Sequence, residues 1–255
     1  MERVGFQTRR IIMEKVKKIY EISSFEVDVK GLLRLRSLFN LFQDMADFHA
    51  DQMGLGYDFC SKNGIGWVGG AYHLQVNRFP KWRDKIVIET WPSGATAACG
   101  IRDFQVKTDA GEVLINATSQ WVLVDINRMR PVPVAKHLPD YDIIDDHAFV
   151  SDFSKFQIPE GEAKSVSFPV HTDDIDLNNH VNNALYPTWC LDGLDDDFLS
   201  THTIQELQVN FKRPAKKGDT VSVQTFYQEN DTIHLLTTPD LKTEFARVRI
   251  RWQDK

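Results

Sequence analysis

Only three cysteines occur in the 255 residues, Cys60, Cys99 and Cys190, and they follow neither a paired nor a metal-type spacing. That excludes a disulfide framework and points to a reducing compartment. No apolar run approaches the roughly 18 residues of a membrane span, and no signal-peptide core is present, so no stable membrane insertion is expected and the expected location is cytoplasmic. Basic charge is also short: 30 Lys and Arg stand against 36 Asp and Glu, a formal net charge of −6, with no long Lys/Arg block and no basic–aromatic alternation. Nonspecific nucleic-acid binding is excluded on that ground. Neither His-Glu-x-x-His nor paired cysteines appear, and the acidic run Asp173, Asp174, Asp176 lacks the glycine and distal glutamate of a calcium loop. No metal and no cofactor are therefore expected.

What remains is a chain with enough apolar residues, 42%, for one large core or two smaller ones. Two local basic clusters stand out against the acidic average: Lys212, Arg213, Lys216 and Lys217, and the alternating Arg247, Arg249 and Arg251. Either an acidic partner or a solvated strand edge accounts for them. Residues 1–15 read as a leader; residues 1–12 are too short and too poor in serine for a transit peptide, which leaves disorder, with Met13 as an alternative start.

The chain repeats itself. Leu74-Gln-Val-Asn77 recurs as Leu207-Gln-Val-Asn210, 133 residues on, and each copy is followed by a turn with proline and aspartate and then an alternating strand. A duplicated domain explains this. In the first copy, Leu38, Phe42, Met45, His49 and Met53 form a helical stripe over about 36–53, with strands expected near 66–78, 85–93, 98–109 and 112–126. In the second, a strand at 165–171 leads to a helix at 183–196 and strands near 203–213, 219–227, 230–237 and 244–252. Each unit is one long helix with an antiparallel sheet, an α+β arrangement. The units are placed at 16–130 and 164–255. Between them, the linker 131–163 carries Pro131, Pro133, Pro139 and Pro159 with little periodicity; its length suits a segment packed on the surface.

One segment concentrates chemistry. In Asp176-Leu-Asn-Asn-His180 a carboxylate, an amide and an imidazole alternate, and an extended chain puts all three on one side. They offer a base, an orienting amide and a charge-stabilising acid. Pro187 belongs in a first helical turn, which starts the following helix near Asn183 and sets free N–H donors beside His180 for an oxyanion. Asn182 and Asn183 suit helix capping, and Cys190 suits a buried apolar position. His49 suits a core or channel-lining role. Aligning Asp28-Val-Lys-Gly-Leu32 with the second-copy segment puts Lys30 in place of Asn178 and Leu32 in place of His180, so the first copy lacks the base.

Phe25-Glu-Val-Asp28, the helix segment from Leu38 through His49, Arg78-Phe-Pro-Lys-Trp82, Ile88-Glu-Thr-Trp91, Arg102-Asp-Phe104, Ala117-Thr-Ser-Gln-Trp-Val122 and Asp174–Asn183 occur in an order and spacing that resembles the acyl-acyl-carrier-protein thioesterases, bacterial relatives of the plant plastid enzymes. The resemblance covers roughly residues 16–253. It implies a double hotdog fold, hydrolysis of fatty acyl thioesters on acyl carrier protein, and Asp176, Asn178 and His180 as the catalytic residues. It also implies that the first unit, near Gly69 and Gly70, accommodates the acyl tail. Plant relatives carry an acidic residue and a cysteine where this chain has Pro214 and Ala215, a departure that argues against a cysteine nucleophile and for attack by water. His180 then serves as general base, Asn178 orients water or imidazole, and Asp176 holds the imidazolium or shares the base role. An acyl-coenzyme A thioesterase on the same fold and a noncatalytic acyl-binding protein are the rival expectations, and both monomer and homodimer are compatible with the doubled unit.

Overall fold

The computed structural model describes Ile11 and residues 14–255; the predicted leader lies outside these residues apart from Ile11, Glu14 and Lys15. The first half runs β1 (Val16–Glu21), α1 (Leu35–Gln52), α2 (Tyr57–Lys62), β2 (Ile65–Val76), β3 (Lys85–Ala95), β4 (Cys99–Thr108) and β5 (Val113–Asp125). A two-residue β6 (Arg130–Pro131) and a single turn α3 (Val134–His137) follow. The second half runs β7 (Lys164–Pro169), α4 (Leu185–Asp192), α5 (Asp196–Thr201), β8 (His202–Phe211), β9 (Thr220–Tyr227), β10 (Asp231–Thr237) and β11 (Glu244–Asp254).

Ten of these strands form one antiparallel path, β1-β3-β4-β5-β2-β8-β11-β10-β9-β7, with β6 on the side of β5. Read outward from the middle, the two halves have the same order. They join where β2 pairs with β8, and in that ladder Leu74 faces Leu207, the residue that repeats it. The repeated motif therefore meets itself on the pseudo-twofold axis. Both leucines are fully buried, so the same apolar position from each copy closes the seam.

The helix stripe behaves as its spacing predicts. Leu38, Phe42 and Met45 are completely buried against the sheet, each burial stabilising by about 1.5–3 kcal/mol. Phe42 stacks on Phe104 of β4 at 4.6 Å. Gly54, at φ +68°, ends the helix in the left-handed conformation that side chains resist. The second unit departs from the single helix 183–196: α4 stops at Asp192, Gly193 breaks it, and α5 begins after Asp195. Among the described residues no helix is long and apolar enough to cross a membrane.

The linker crosses the outer face of the sheet as a strap. Trp91 Nε1 donates to the Asp146 carbonyl at 2.6 Å, the Ala148 N–H to Asp103 Oδ2 at 2.8 Å, and His73 Nδ1 lies 2.8 Å from Ser151 Oγ. Gln208 Nε2 then donates to the Ser154 carbonyl at 2.8 Å. Strands β3, β4, β2 and β8 supply these anchors in turn, so the strap runs from one unit to the other. Its backbone finds side-chain partners in place of a ladder.

Candidate active site

Asp176, Asn178 and His180 occupy a tight turn, which corrects the extended arrangement that their alternation predicts. The Asp176 N–H donates to the His180 carbonyl at 2.8 Å and the Asn179 N–H to the Asp176 carbonyl at 3.0 Å. Asp176 Oδ1 accepts the backbone N–H of Asn178 at 2.9 Å and of His180 at 3.4 Å. These local side-chain-to-backbone bonds offer the chain an alternative to a strand, and Asn179 takes the left-handed position, φ +60°, that asparagine tolerates. A bridge between Ile175 and Val181 closes the turn.

The three groups are thus held within five residues. Asp176 and His180 are half-buried and Asn178 is exposed. Among the described residues the Asn178 amide and the His180 ring make no hydrogen bond, so no acid–imidazole pair is preformed. The Asp176 carboxylate is committed through Oδ1 to the loop itself.

Elements from both units fix this loop. The Val181 N–H donates to the Ala215 carbonyl at 2.9 Å and the Asn182 N–H to the Asp174 carbonyl at 2.8 Å. Asn182 Nδ2 reaches Asn40 Oδ1 on α1 at 3.1 Å, and Arg36 Nη2 reaches the Asp173 carbonyl at 3.4 Å. Asn183 lies over the bulge of β2, where a Cβ on Gly69 would stand 2.8 Å from its Nδ2. Sequence reading missed Asn40 and Arg36, which carry no local signal. The Gly69-Gly70 pair inside a strand is the one hint of a close approach.

The start of α4 differs from the expectation too: it begins at Leu185, not near Asn183. The N-cap is Ala184, without a side-chain cap, so neither Asn182 nor Asn183 caps the helix as expected. Asn182 instead bonds just ahead of it, its Oδ1 accepting the Ala184 N–H at 2.9 Å and its carbonyl the Leu185 N–H at 3.0 Å. Two donors at the helix head are therefore already used.

Ala215 is fully buried, and its N–H donates to Tyr186 Oη at 2.9 Å. Burial pushes the Tyr186 phenol up to about 12. Position 215, the direct backbone partner of the loop, thus presents only a methyl group. Cys190 is fully buried with Sγ 3.2 Å from the Tyr186 carbonyl, and burial pushes its thiol well up, which suits an apolar filler and opposes thiolate chemistry. Among the described residues no three His, Cys, Asp or Glu side chains converge as metal ligands would.

A cavity of about 90 Å³ lies in the first unit between α1 and the sheet, with Ala46, Ala50, Met53, Trp67 and Trp121 among its walls. Arg102 borders it. Its Nη1 donates to His49 Nδ1 at 2.9 Å and to Thr90 Oγ1 at 3.2 Å. Burial lowers the guanidinium to about 10, so it stays protonated near neutrality. Burial first, and the Arg102 charge second, lower His49 to about 4, which keeps its ring neutral and able to accept. His49 is thereby a core residue, joined to the cavity wall through Arg102.

Comparison with known proteins places the chain in a family. The acyl-ACP thioesterase N-terminal domain matches residues 13–141 and the acyl-ACP thioesterase C-terminal domain matches residues 158–254. The chain belongs to the acyl-ACP thioesterase family. The solved acyl-ACP thioesterase of Bacteroides thetaiotaomicron superposes with a TM-score of 0.86 at 20% identity, over 94% of this chain and 98% of that one. The 12:0-ACP thioesterase of Umbellularia californica superposes at 0.82 with 23% identity, again over 94% and 98%. Both likenesses show the double hotdog fold. Among curated relatives, a chloroplastic oleoyl-acyl carrier protein thioesterase of Arabidopsis thaliana is 25% identical over 87% of this chain and 65% of its own length. A chloroplastic palmitoyl-acyl carrier protein thioesterase of Gossypium hirsutum is 27% identical over 92% and 63%. This chain thus spans just under two thirds of the length of each.

Proposed function

We propose that this chain hydrolyses the thioester of fatty acyl-acyl carrier protein, releasing free fatty acid and the carrier thiol. The observation that carries the reading is a comparison within the molecule. The loop 176–180 and its first-copy twin 28–32 share their backbone bonds, and they differ where Asn178 and His180 replace Lys30 and Leu32. The scaffold is common to both copies, and the chemistry is on one.

In the proposed mechanism His180 takes a proton from water as the water attacks the thioester carbonyl, and the imidazolium returns it to the departing thiolate. With two donors at the head of α4 bound to Asn182, the uncommitted amide of Asn178 is the donor on this loop for the developing oxyanion. Asp176 holds the turn through Oδ1 and places its charge beside the imidazolium. The acyl chain lies in the first-unit cavity, so residues 16–130, with Leu138 and Tyr141 of the linker, bind the tail, 164–255 carry the chemistry, and 131–163 join the two units.

Hydrolysis of matched acyl-carrier-protein and acyl-coenzyme A substrates across chain lengths tests this, with His180→Ala alongside. The carrier-protein thioester is expected to turn over faster, and the variant to lose at least about 10²-fold. Faster coenzyme A turnover would reassign the carrier. Near-normal turnover by the variant would remove His180 from the chemistry, and no turnover of either thioester would leave an acyl-binding protein.

A further inference from the structure

On the outer face of the second unit, a cleft of about 490 Å³ opens between the strap, the end of β8 and the β10–β11 hairpin. It is separate from the loop 176–180. Along β8, Leu207 and Val209 are fully buried on the core side, which α4 also packs against, whereas Gln208 and Asn210 alternate to the strap side. Asn210 lines the cleft.

Its charge does not balance. Arg247 and Glu244 form a bidentate pair at 2.8 and 2.9 Å and neutralise each other, and Lys242 lies 3.1 Å from Asp240. Lys155, Lys212 and Arg213 face the same space with no carboxylate partner among the described residues. Three uncompensated cations are thus gathered in one concavity of a chain whose net charge is −6. Beneath them Asn210 is only 7% exposed, and its Nδ2 has no hydrogen-bond partner. A buried amide donor left without an acceptor is unfavourable, and an oxygen of a bound anion would relieve it. The cleft is far larger than an inorganic anion, and it falls in the range of about 300–1,000 Å³ common to small-molecule sites. Phe156 is among its wall residues, and an aromatic side chain is the kind that stacks on a base.

We propose that this cleft binds a nucleoside phosphate, with the phosphates against Lys155, Lys212 and Arg213, an acceptor oxygen on Asn210 and the base on Phe156. The shared chemistry is a nucleoside phosphate, and adenosine phosphates stand for the class because either a free nucleotide or the nucleotide end of coenzyme A supplies one. The assignment does not depend on the hydrolytic reading, since it uses none of the loop residues.

Calorimetric titration of the full chain with adenosine diphosphate, coenzyme A, pyrophosphate and adenosine tests it. Saturable binding of adenosine diphosphate at or below about 100 μM is expected, at least fivefold weaker in Lys155→Ala and in Lys212→Ala, and weaker as salt rises. Asn210→Leu removes the buried donor and is expected to act in the same direction; the two lysines are exposed, so their variants remain informative if the asparagine variant fails to fold. Adenosine is expected to bind at least tenfold more weakly than the diphosphate. Coenzyme A binding tenfold tighter than adenosine diphosphate would identify the coenzyme as the source, and equal or weaker binding the free nucleotide. Pyrophosphate binding as tightly as the nucleotide would overturn the base assignment. No saturable binding at millimolar adenosine diphosphate, or binding unchanged by both lysine variants, would overturn the site.

Discussion

Asp28 and Asp176 hold the same turn in the two halves of the molecule. Asp28 Oδ1 accepts the N–H of Lys30 at 2.8 Å and of Leu32 at 3.0 Å, as Asp176 Oδ1 accepts those of Asn178 and His180 at 2.9 and 3.4 Å. The residue before the last is left-handed in both, Gly31 at φ +73° and Asn179 at φ +60°. Each loop then ties into the turn after a central strand, Leu33 to the Pro80 carbonyl and Val181 to that of Ala215. A carboxylate that does this work where no imidazole follows it is first of all part of the scaffold. The twin loop has meanwhile become a contact: Lys30 Nζ donates to the Leu199 carbonyl near the end of α5, which Lys255 also caps.

Asp28→Ala and Asp176→Ala should therefore destabilise alike. Each removes one acceptor for two backbone N–H groups, a loss of about 1–2 kcal/mol. Only Asp176→Ala should also lower turnover steeply, by about 10² or more. Asp176→Asn separates the two roles, since an amide oxygen still accepts the N–H groups while the charge is gone. Its thermal midpoint should stay near the parent's and its kcat should fall about tenfold. Equal turnover losses in the alanine and asparagine variants would make the charge, and not the loop, the main contribution.

How much of this the sequence showed depends on how far apart the interacting residues are. The Leu74–Leu207 repeat, the α1 stripe and the β-alternation are local or periodic signals, and the doubled hotdog follows from them. The motif Asp176-x-Asn-x-His180 also identified its segment, yet its alternation suggested an extended run and not a tight turn, because side-chain bonds to backbone N–H groups leave no period to read. The contacts that seat the loop, Asn182 on Asn40 and Asn183 over Gly69, join residues more than a hundred positions apart. Apart from the Gly69-Gly70 pair, nothing short-range encodes them.

Gly69 provides a test of that seating. A methyl group there would stand 2.8 Å from Asn183 Nδ2, and a short side chain can turn aside at small cost. Gly69→Ala should thus lower the thermal midpoint by no more than about 3 °C. Turning the Asn183 amide aside removes its seat on the β2 bulge and loosens the chain that carries His180, so kcat/KM should fall by about tenfold. Unchanged kinetics would show that the β2 bulge does not position the loop.

Ala46 and Ala50 leave the cavity its width. Replacing Ala50 by leucine fills much of the roughly 90 Å³ without adding a polar atom. Because one methylene in an apolar pocket is worth about 1–3 kcal/mol, the longest chain accepted by the parent should lose at least about tenfold in kcat/KM, with shorter chains little affected. A series of acyl substrates of increasing length measures this. A uniform loss at every length would place the acyl tail elsewhere.

Acid should weaken the fold through two neutral histidines. Burial and the adjacent Arg102 charge lower His49 to about 4, and burial between Thr225 and Thr232 lowers His234 to about 3. In the unfolded chain both titrate near the ordinary value of about 6.5. Between these limits the unfolded state binds more protons than the folded one, so stability rises with pH there. On acidification it is expected to start falling near pH 6.5, to fall until about pH 4 for His49 and about pH 3 for His234, and to gain nothing from either above neutrality. His49→Gln keeps an acceptor for Arg102 and cannot titrate. Thermal midpoints of parent and variant measured from pH 7.5 to 4.5 should therefore converge toward acid, with the variant the less pH-dependent of the two. Parallel curves would mean that His49 is protonated in the folded protein, and with it that Arg102 Nη1 has some acceptor other than the imidazole.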